Sequence, residues 1–247
     1  LLRSLDTIAQ AQPEKIIVST PGPVGLTGYL AACLLGVPCV GVYHTDFAKL
    51  AEDVSGDRQM ADWVNRYVNW FYGRMDGLFV PSRFYMTRLA DQGLDHARMR
   101  LFRRSLDASF ANIGERAVAE ARRRWFGDPA PTLLYAGRFS KEKNLSLLTE
   151  VFKTLVGQGV NVRLVLAGDG PDREALEDSL AAYAERVCFT GRIGREQLKA
   201  VYQLSDILLF PSLSDTFGMS VLEAQTMGLP ALVSLAGGPQ EIIVDGK

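Results

Sequence analysis

Arg138 and Lys143 lie on the segment Gly137-Arg138-Phe139-Ser140-Lys141-Glu142-Lys143-Asn144, directly after an apolar, β-rich run. A glycine at that point lets backbone or ligand come close. Two fixed cations at a strand's carboxyl end suit a diphosphate, whose charge grows as a glycosidic bond to it breaks. Two solvated cations beside a turn are the plainer reading. A second constellation, Ser212-Leu213-Ser214-Asp215-Thr216-Phe217-Gly218-Met219-Ser220-Val221-Leu222-Glu223-Ala224, follows the run Ile207–Phe210. The N–H groups of Gly218, Met219 and Ser220 are expected to open a helix there, and the amide end of a helix attracts anions. Asp215 in the loop and Glu223 inside the helix can accept hydrogen bonds from ligand hydroxyls. Each acid also has a structural role open to it: Asp215 as a helix cap, Glu223 as a polar residue on an apolar helix. The neighbours Val221, Leu222 and Ala224 make an idle carboxylate there unnatural.

Two further segments carry less. Val165-Leu166-Ala167-Gly168-Asp169-Gly170-Pro171 is a glycine-rich strand-to-helix turn, and most such turns are architecture. His44, in Val42-Tyr43-His44-Thr45-Asp46-Phe47, stands at the end of another β-rich run. A lone histidine is more often structural, but a strand's carboxyl end is where α/β sheets bind ligands. The three cysteines, Cys33, Cys39 and Cys188, form no CxxC pair and are joined by only two histidines. That argues against a zinc site and for buried thiols in a reducing, cytoplasmic setting. No metal and no cofactor is expected.

These residues need a scaffold. Strands are expected at Lys15–Ser19, Pro38–His44, Gly77–Ser82, Met99–Arg104, Thr132–Arg138, Val162–Gly168, Val187–Gly191, Ile207–Ser212 and Pro230–Ser234. Between most of them apolar residues recur at helical spacing, as in Leu145, Leu148, Phe152 and Leu155, or Leu198, Val201, Tyr202 and Leu204. Alternating strand and helix implies parallel sheets covered on both faces, an α/β fold. The apolar stretch Gly25–Val42 is interrupted by Gly36 and Pro38, so it reads as a buried helix and strand rather than a membrane span. Gly127-Asp128-Pro129-Ala130-Pro131 suits a linker. The expected division is therefore a first domain over 1–112, a hinge over 113–131 and a second domain over 132–247. The chain does not begin with Met and ends on Asp245-Gly246-Lys247, and both ends read as truncated.

The 247-residue chain has a net charge of −1, which gives no field for nucleic acid. The charge is uneven, with +6 over residues 58–125. Arg98, Arg100, Arg103, Arg104, Arg116, Arg122, Arg123 and Arg124 lie there, downstream of Trp63, Tyr67, Trp70 and Phe71. Basic and aromatic residues together suit an anionic membrane surface. A core-facing aromatic stripe beside a solvated arginine face is the default reading.

The order and spacing of Gly137-Arg138-Phe139-Ser140-Lys141-Glu142-Lys143-Asn144, Ala167-Gly168-Asp169-Gly170-Pro171, Phe210-Pro211-Ser212, Asp215-Thr216-Phe217-Gly218…Glu223-Ala224 and Gly228-Leu229-Pro230 resemble glycosyltransferase family 4 over Thr132–Lys247. Upstream, His44-Thr45-Asp46-Phe47 and Val80-Pro81-Ser82 are similar to the family's acceptor domain. The resemblance implies a GT-B fold, two Rossmann-like domains facing a cleft, with the first domain here incomplete. It implies a retaining, metal-independent transfer of a hexose from a UDP- or GDP-linked sugar to a carbohydrate or lipid hydroxyl, in the cytoplasm or at the inner face of the membrane. In that scheme Arg138 and Lys143 hold the donor diphosphate, and Gly218, Met219 and Ser220 meet phosphate through N–H groups. Asp215 binds the sugar hydroxyls and Glu223 the ribose. Arg192 and Ile193 offer backbone to the base, Gly137 and Gly168 shape the donor loops, and His44 approaches the transferred sugar. Two departures stand out: Asp215 occupies a position that is usually Glu, and Ser105-Leu106-Asp107 replaces the usual Gly-Val-Asp turn. An epimerase or phosphorylase on the same fold, and a binding module without turnover, are the competing readings.

Overall fold

Among the described residues nine short strands form where the sequence runs apolar and β-rich, and every pairing between them is parallel. The structure is a computed structural model that describes residues 2–102, 104–127 and 129–243. Leu1, Arg103, Asp128 and residues 244–247, with the Asp245-Gly246-Lys247 end, lie outside the described residues. The chain divides into two compact units, Leu1–Arg104 and Ser105–Lys247.

The first unit carries β1 (Ile16–Val18), β2 (Cys39–Val42), β3 (Gly77–Val80) and β4 (Met99–Leu101), in the order β1-β2-β3-β4. Its helices are α1 (Leu2–Gln10), α2 (Pro23–Leu35), α3 (Phe47–Ser55), α4 (Arg58–Tyr72) and α5 (Arg83–Asp91). The apolar stretch resolves as expected into α2 and β2. Pro23 starts α2, and Gly36 ends it in the left-handed region at φ 65°. No helix among the described residues is long and apolar enough to cross a membrane. The core is built from Val18, Tyr43, Phe71, Tyr72, Val80 and Tyr85.

The aromatic stripe of α4 splits, which corrects the default reading of it. Phe71 is buried in the core, but Trp63, Tyr67 and Trp70 are exposed at 64%, 40% and 45%. The guanidinium carbons of Arg66 and Arg74 lie 5.7 and 4.9 Å from the Trp63 and Trp70 ring centres. Helical periodicity turned Phe71 inward and left the other three on the outer face.

The second unit carries β5 (Thr132–Ala136), β6 (Arg163–Ala167), β7 (Val187–Gly191), β8 (Ile207–Phe210) and β9 (Ala231–Val233), in the order β7-β6-β5-β8-β9. Its helices are α6 (Glu115–Ala121), α7 (Leu145–Gly157), α8 (Arg173–Leu180), α9 (Arg195–Leu204) and α10 (Met219–Thr226). Leu134, Tyr135, Phe152, Leu164, Val165, Tyr202, Leu208 and Val221 are wholly inaccessible. From β5 the chain steps outward to β6 and β7, then returns to lay β8 against the other side of β5. The strand order thus reverses between β5 and β8, and the loops leaving their carboxyl ends bound a crevice.

The division falls earlier than the sequence places it. The segment expected as a hinge over 113–131 packs into the second core through Ala121, Trp125 and Phe126, next to Phe110. Large apolar side chains there outweigh the local proline and glycine signal, because burying them contributes far more than a turn preference costs. The two units are α/β with parallel sheets, and the nine strands fall where they were expected, most of them shorter at one or both ends.

Candidate functional site

The loop leaving β5 is held by glycine contacts. Gly168 sits at φ 142°, and a Cβ on it would lie 1.9 Å from the Gly137 carbonyl oxygen. A Cβ on Gly170 would lie 2.1 Å from the Phe139 oxygen. Hydrogen bonds cross this contact: Gly137 N–H to the Ala167 oxygen at 2.9 Å and Phe139 N–H to the Asp169 oxygen at 3.0 Å. Gly168 is therefore required by the approach of two backbones. Gly168→Ala is expected to cost on the order of 2–4 kcal/mol, read as a lower unfolding midpoint in denaturant at unchanged slope. A midpoint equal to that of the parent chain contradicts this packing.

Beyond Arg138 the chain makes a tight turn over Lys141–Lys143, closed by Asn144 in the left-handed region at φ 53°. The Asn144 side chain donates to the Pro211 oxygen at 3.5 Å and the Ser212 hydroxyl donates to the Glu142 oxygen at 3.3 Å. These bonds lay the turn against the loop that leaves β8. They bring Lys143 Nζ to 2.8 Å from Asp215 Oδ2 across the β5–β8 crevice. The other carboxylate oxygen of Asp215 accepts from the Gly218 N–H at 2.8 Å and the Phe217 N–H at 3.2 Å. Cation, carboxylate and the amide end of α10 thus form one connected network. The capping role open to Asp215 is partly realised, but its second oxygen is spent on Lys143. The side chains of the pair are about one-fifth exposed, at 18% and 20%.

The start of α10 is fixed from behind. Gly218 takes φ 94°, and a Cβ on it would meet Pro239 Cγ at 2.9 Å. Gly238 N–H donates to the Asp215 carbonyl at 2.9 Å, and a Cβ on Gly238 would lie 2.1 Å from the Thr216 oxygen. Met219 and Ser220 follow in the first turn of α10, where N–H groups have no acceptor within the helix.

Glu223, one turn further on, belongs to a different contact. Its Oε2 accepts from the hydroxyl of Tyr202, a fully buried residue of α9, at 2.9 Å. Burial raises the Glu223 carboxyl above the usual range, offset in part by the Tyr202 hydroxyl and the Arg195 charge. Arg138 is exposed at the carboxyl end of β5, and its carbonyl accepts from the buried Tyr135 hydroxyl at 2.8 Å. Among the described residues the Arg138 guanidinium has no ion pair. Arg192 is exposed and Ile193 half-buried in the loop between β7 and α9. In the first unit, His44 is half-buried after β2, with Nδ1 3.4 Å from the Val42 oxygen. Its neighbour Asp46 is structural: it is buried, receives Arg88 at 2.9 Å, and caps α3 through the Lys49 N–H at 3.1 Å.

The structure thus joins Lys143, Asp215 and Gly218, and places Glu223 with Tyr202. It adds residues that the sequence reading passed over. In the sequence Tyr202 shows only as part of an apolar helix face. The Gly237-Gly238-Pro239 loop was not singled out, although two glycines before a proline are a visible turn signal. Among the described residues no group of three or more His, Cys, Asp or Glu could hold a metal ion.

The profile of the family described as Glycosyl transferases group 1 matches residues 119–247, just over half of the chain. The chain belongs to this family. A second profile, Glycosyltransferase Family 4, matches residues 1–110. A GDP-mannose-dependent alpha-mannosyltransferase of Mycobacterium tuberculosis is 31% identical over 98% of this chain and 60% of its own length. A sulfoquinovosyl transferase of Arabidopsis thaliana is 30% identical over 99% of this chain and 47% of its own. The chain therefore spans about half to three-fifths of the length of these relatives. Among solved structures, Anabaena HepE in complex with UDP-glucose superposes with a TM-score of 0.80 at 16% identity, over 98% of this chain and 66% of that one. At that identity the likeness bears on the fold alone, and the fold is that of GT-B glycosyltransferases.

Proposed function

We propose that this chain carries the donor site of a retaining glycosyltransferase that moves a hexose from a UDP- or GDP-linked sugar to a hydroxyl of a carbohydrate or lipid acceptor. The reading rests on one observation above the others. At the β5–β8 switch point the Lys143 ammonium and the Gly218 amide converge on a single anion, the Asp215 carboxylate. A pyrophosphate has the charge and the acceptor oxygens to use the same donors.

In this scheme Lys143 and Arg138 neutralise the charge that builds on the leaving diphosphate. The N–H groups of Met219 and Ser220 take phosphate oxygens, Asp215 takes sugar hydroxyls, and Glu223 takes ribose hydroxyls. Arg192 and Ile193 border the base, and His44 serves the acceptor side. In this reading the acceptor attacks from the leaving group's own face and the departing phosphate receives the proton. Lys143 and Arg138 supply the diphosphate's countercharge, so the transfer is taken to need no divalent ion. The nucleotide sugars named with similar proteins, GDP-mannose for one and bound UDP-glucose for another, leave the base open between guanine and uracil. A membrane surface as partner is supported only by the exposed Trp63, Tyr67 and Trp70. Arg58, Arg66 and Arg74 are balanced there by Asp57, Asp62 and Asp76, so the stripe brings no basic excess.

Calorimetric titration with UDP and with GDP tests the reading. One of them is expected to bind at micromolar to sub-millimolar concentration without added metal ion, and more weakly as salt is raised, since an anion is being held by charge. Absence of heat with both nucleotides at millimolar concentration contradicts the proposal.

A further inference from the structure

Two of the donors assigned to the diphosphate, the Lys143 ammonium and the Gly218 N–H, are already engaged. Asp215 Oδ2 takes the Lys143 ammonium at 2.8 Å, while Oδ1 takes the Gly218 and Phe217 N–H groups at 2.8 and 3.2 Å. The carboxylate therefore occupies the electrostatic place of a phosphate. We propose that Asp215 is an internal stand-in for the donor's phosphate, exchanged when a nucleotide sugar binds, and that this exchange makes the site favour the nucleotide sugar over the spent nucleoside diphosphate.

This inference rests on the donor-site reading above and deepens it. The pair is mostly shielded from water, at 18% and 20% exposure, so its attraction is screened less than that of a surface pair. A phosphate that claims both Lys143 and the Gly218 N–H competes with the carboxylate for the two donors that hold it, and two anions so close repel. The backbone at Asp215 is pinned by the Gly238 N–H and by the glycine contacts behind Gly218, so the carboxylate moves by side-chain rotation alone. What happens next depends on the ligand. With a nucleotide sugar bound, the sugar hydroxyls offer the displaced carboxylate new donors. With a nucleoside diphosphate bound, no hydroxyl replaces Lys143, and a partly buried carboxylate is left short of a partner. The same group thus costs the product affinity that it does not cost the donor.

The experiment compares nucleoside diphosphate and nucleotide sugar on four proteins. The probes are UDP with UDP-glucose and GDP with GDP-mannose, titrated into the native chain, Asp215→Asn, Lys143→Ala and the double variant. Asparagine still accepts from the Gly218 and Phe217 N–H groups but carries no charge for Lys143. Asp215→Ser serves as a second variant should the asparagine form fail to fold. Asp215→Asn is expected to bind the nucleoside diphosphate about tenfold tighter, the scale of a close charge pair, while the nucleotide sugar gains nothing or loses affinity. On the Lys143→Ala background the gain should vanish, because there is no cation left to compete for. Should the native chain bind the diphosphate in a Lys143-dependent way, and Asp215→Asn and Asp215→Ser bind it no tighter, the exchange is overturned and the donor site stands. Should none of the four proteins bind either diphosphate, both are overturned.

Discussion

Lys143→Ala is expected to lower the rate of sugar transfer by about 10²–10³, the effect of removing one charged donor aimed at a developing oxyanion. The ammonium is placed by a chain of hydrogen bonds to backbone oxygens. The turn at Lys141–Lys143 is closed by Asn144 and tied to the loop after β8 through Pro211 and Ser212, so Lys143 reaches the crevice without a long side-chain search. Charge on the leaving diphosphate is larger in the transition state than in the bound donor. The loss should therefore fall mainly on kcat, with a smaller loss of nucleoside diphosphate affinity. Lys143→Arg is not a conservative rescue at 2.8 Å from Asp215, because a planar guanidinium cannot occupy the volume of a compact ammonium. Initial rates across a range of nucleotide sugar concentrations separate the two parameters. A Lys143→Ala protein with unchanged kcat removes Lys143 from the chemistry.

Glu223→Gln is expected to lower nucleotide affinity about tenfold to hundredfold, as a charge-assisted pair of hydrogen bonds to ribose hydroxyls becomes a neutral one. The same change should make the free protein more stable at neutral pH. Burial holds the Glu223 carboxyl above its ordinary value, so the folded state binds its proton more tightly than the unfolded state does. The stability this contributes is full below the ordinary carboxylate range and is lost as pH rises through the raised folded value. Glutamine does not titrate. The stability gap between the variant and the native chain should therefore be small in acid and widen toward neutral pH, while the native Tyr202 contact is kept by the amide oxygen. Urea unfolding at a series of pH values reads the gap, and titration with UDP and GDP reads the affinity. A variant that binds the nucleotide normally and differs only in stability assigns Glu223 to the fold alone.

The strands and the chemistry-bearing loops were legible because both depend on short-range pattern. Runs such as Thr132–Ala136 and Ile207–Phe210 are short and almost wholly apolar, as a strand buried on both faces demands. The loops after them leave the carboxyl ends of parallel strands, where such sheets bind ligands, and that position marks Arg138, Lys143, Asp215 and Gly218 as candidates in the sequence. Long-range partners were not legible. Nothing near Lys143 in the sequence says that its ammonium meets Asp215, 72 residues on, or that the Tyr202 hydroxyl meets Glu223, 21 residues on. The hinge expected at 113–131 failed to separate for the same reason. Trp125 and Phe126 look like part of a basic, proline-flanked segment until the core that receives them is in view. The outward turn of Trp63, Tyr67 and Trp70 was a question of helix phase, which a stripe at near-helical spacing leaves open by one residue.

A crystal structure of the chain grown with UDP or GDP decides whether the β5–β8 crevice is a pyrophosphate site. The expected map has the diphosphate at the amino end of α10, with a phosphate oxygen at hydrogen-bond distance, about 2.7–3.0 Å, from Lys143 Nζ and the Asp215 carboxylate turned away from that ammonium. A nucleotide bound elsewhere on the second unit, with the Lys143–Asp215 pair intact, would contradict the assignment of every residue in the site.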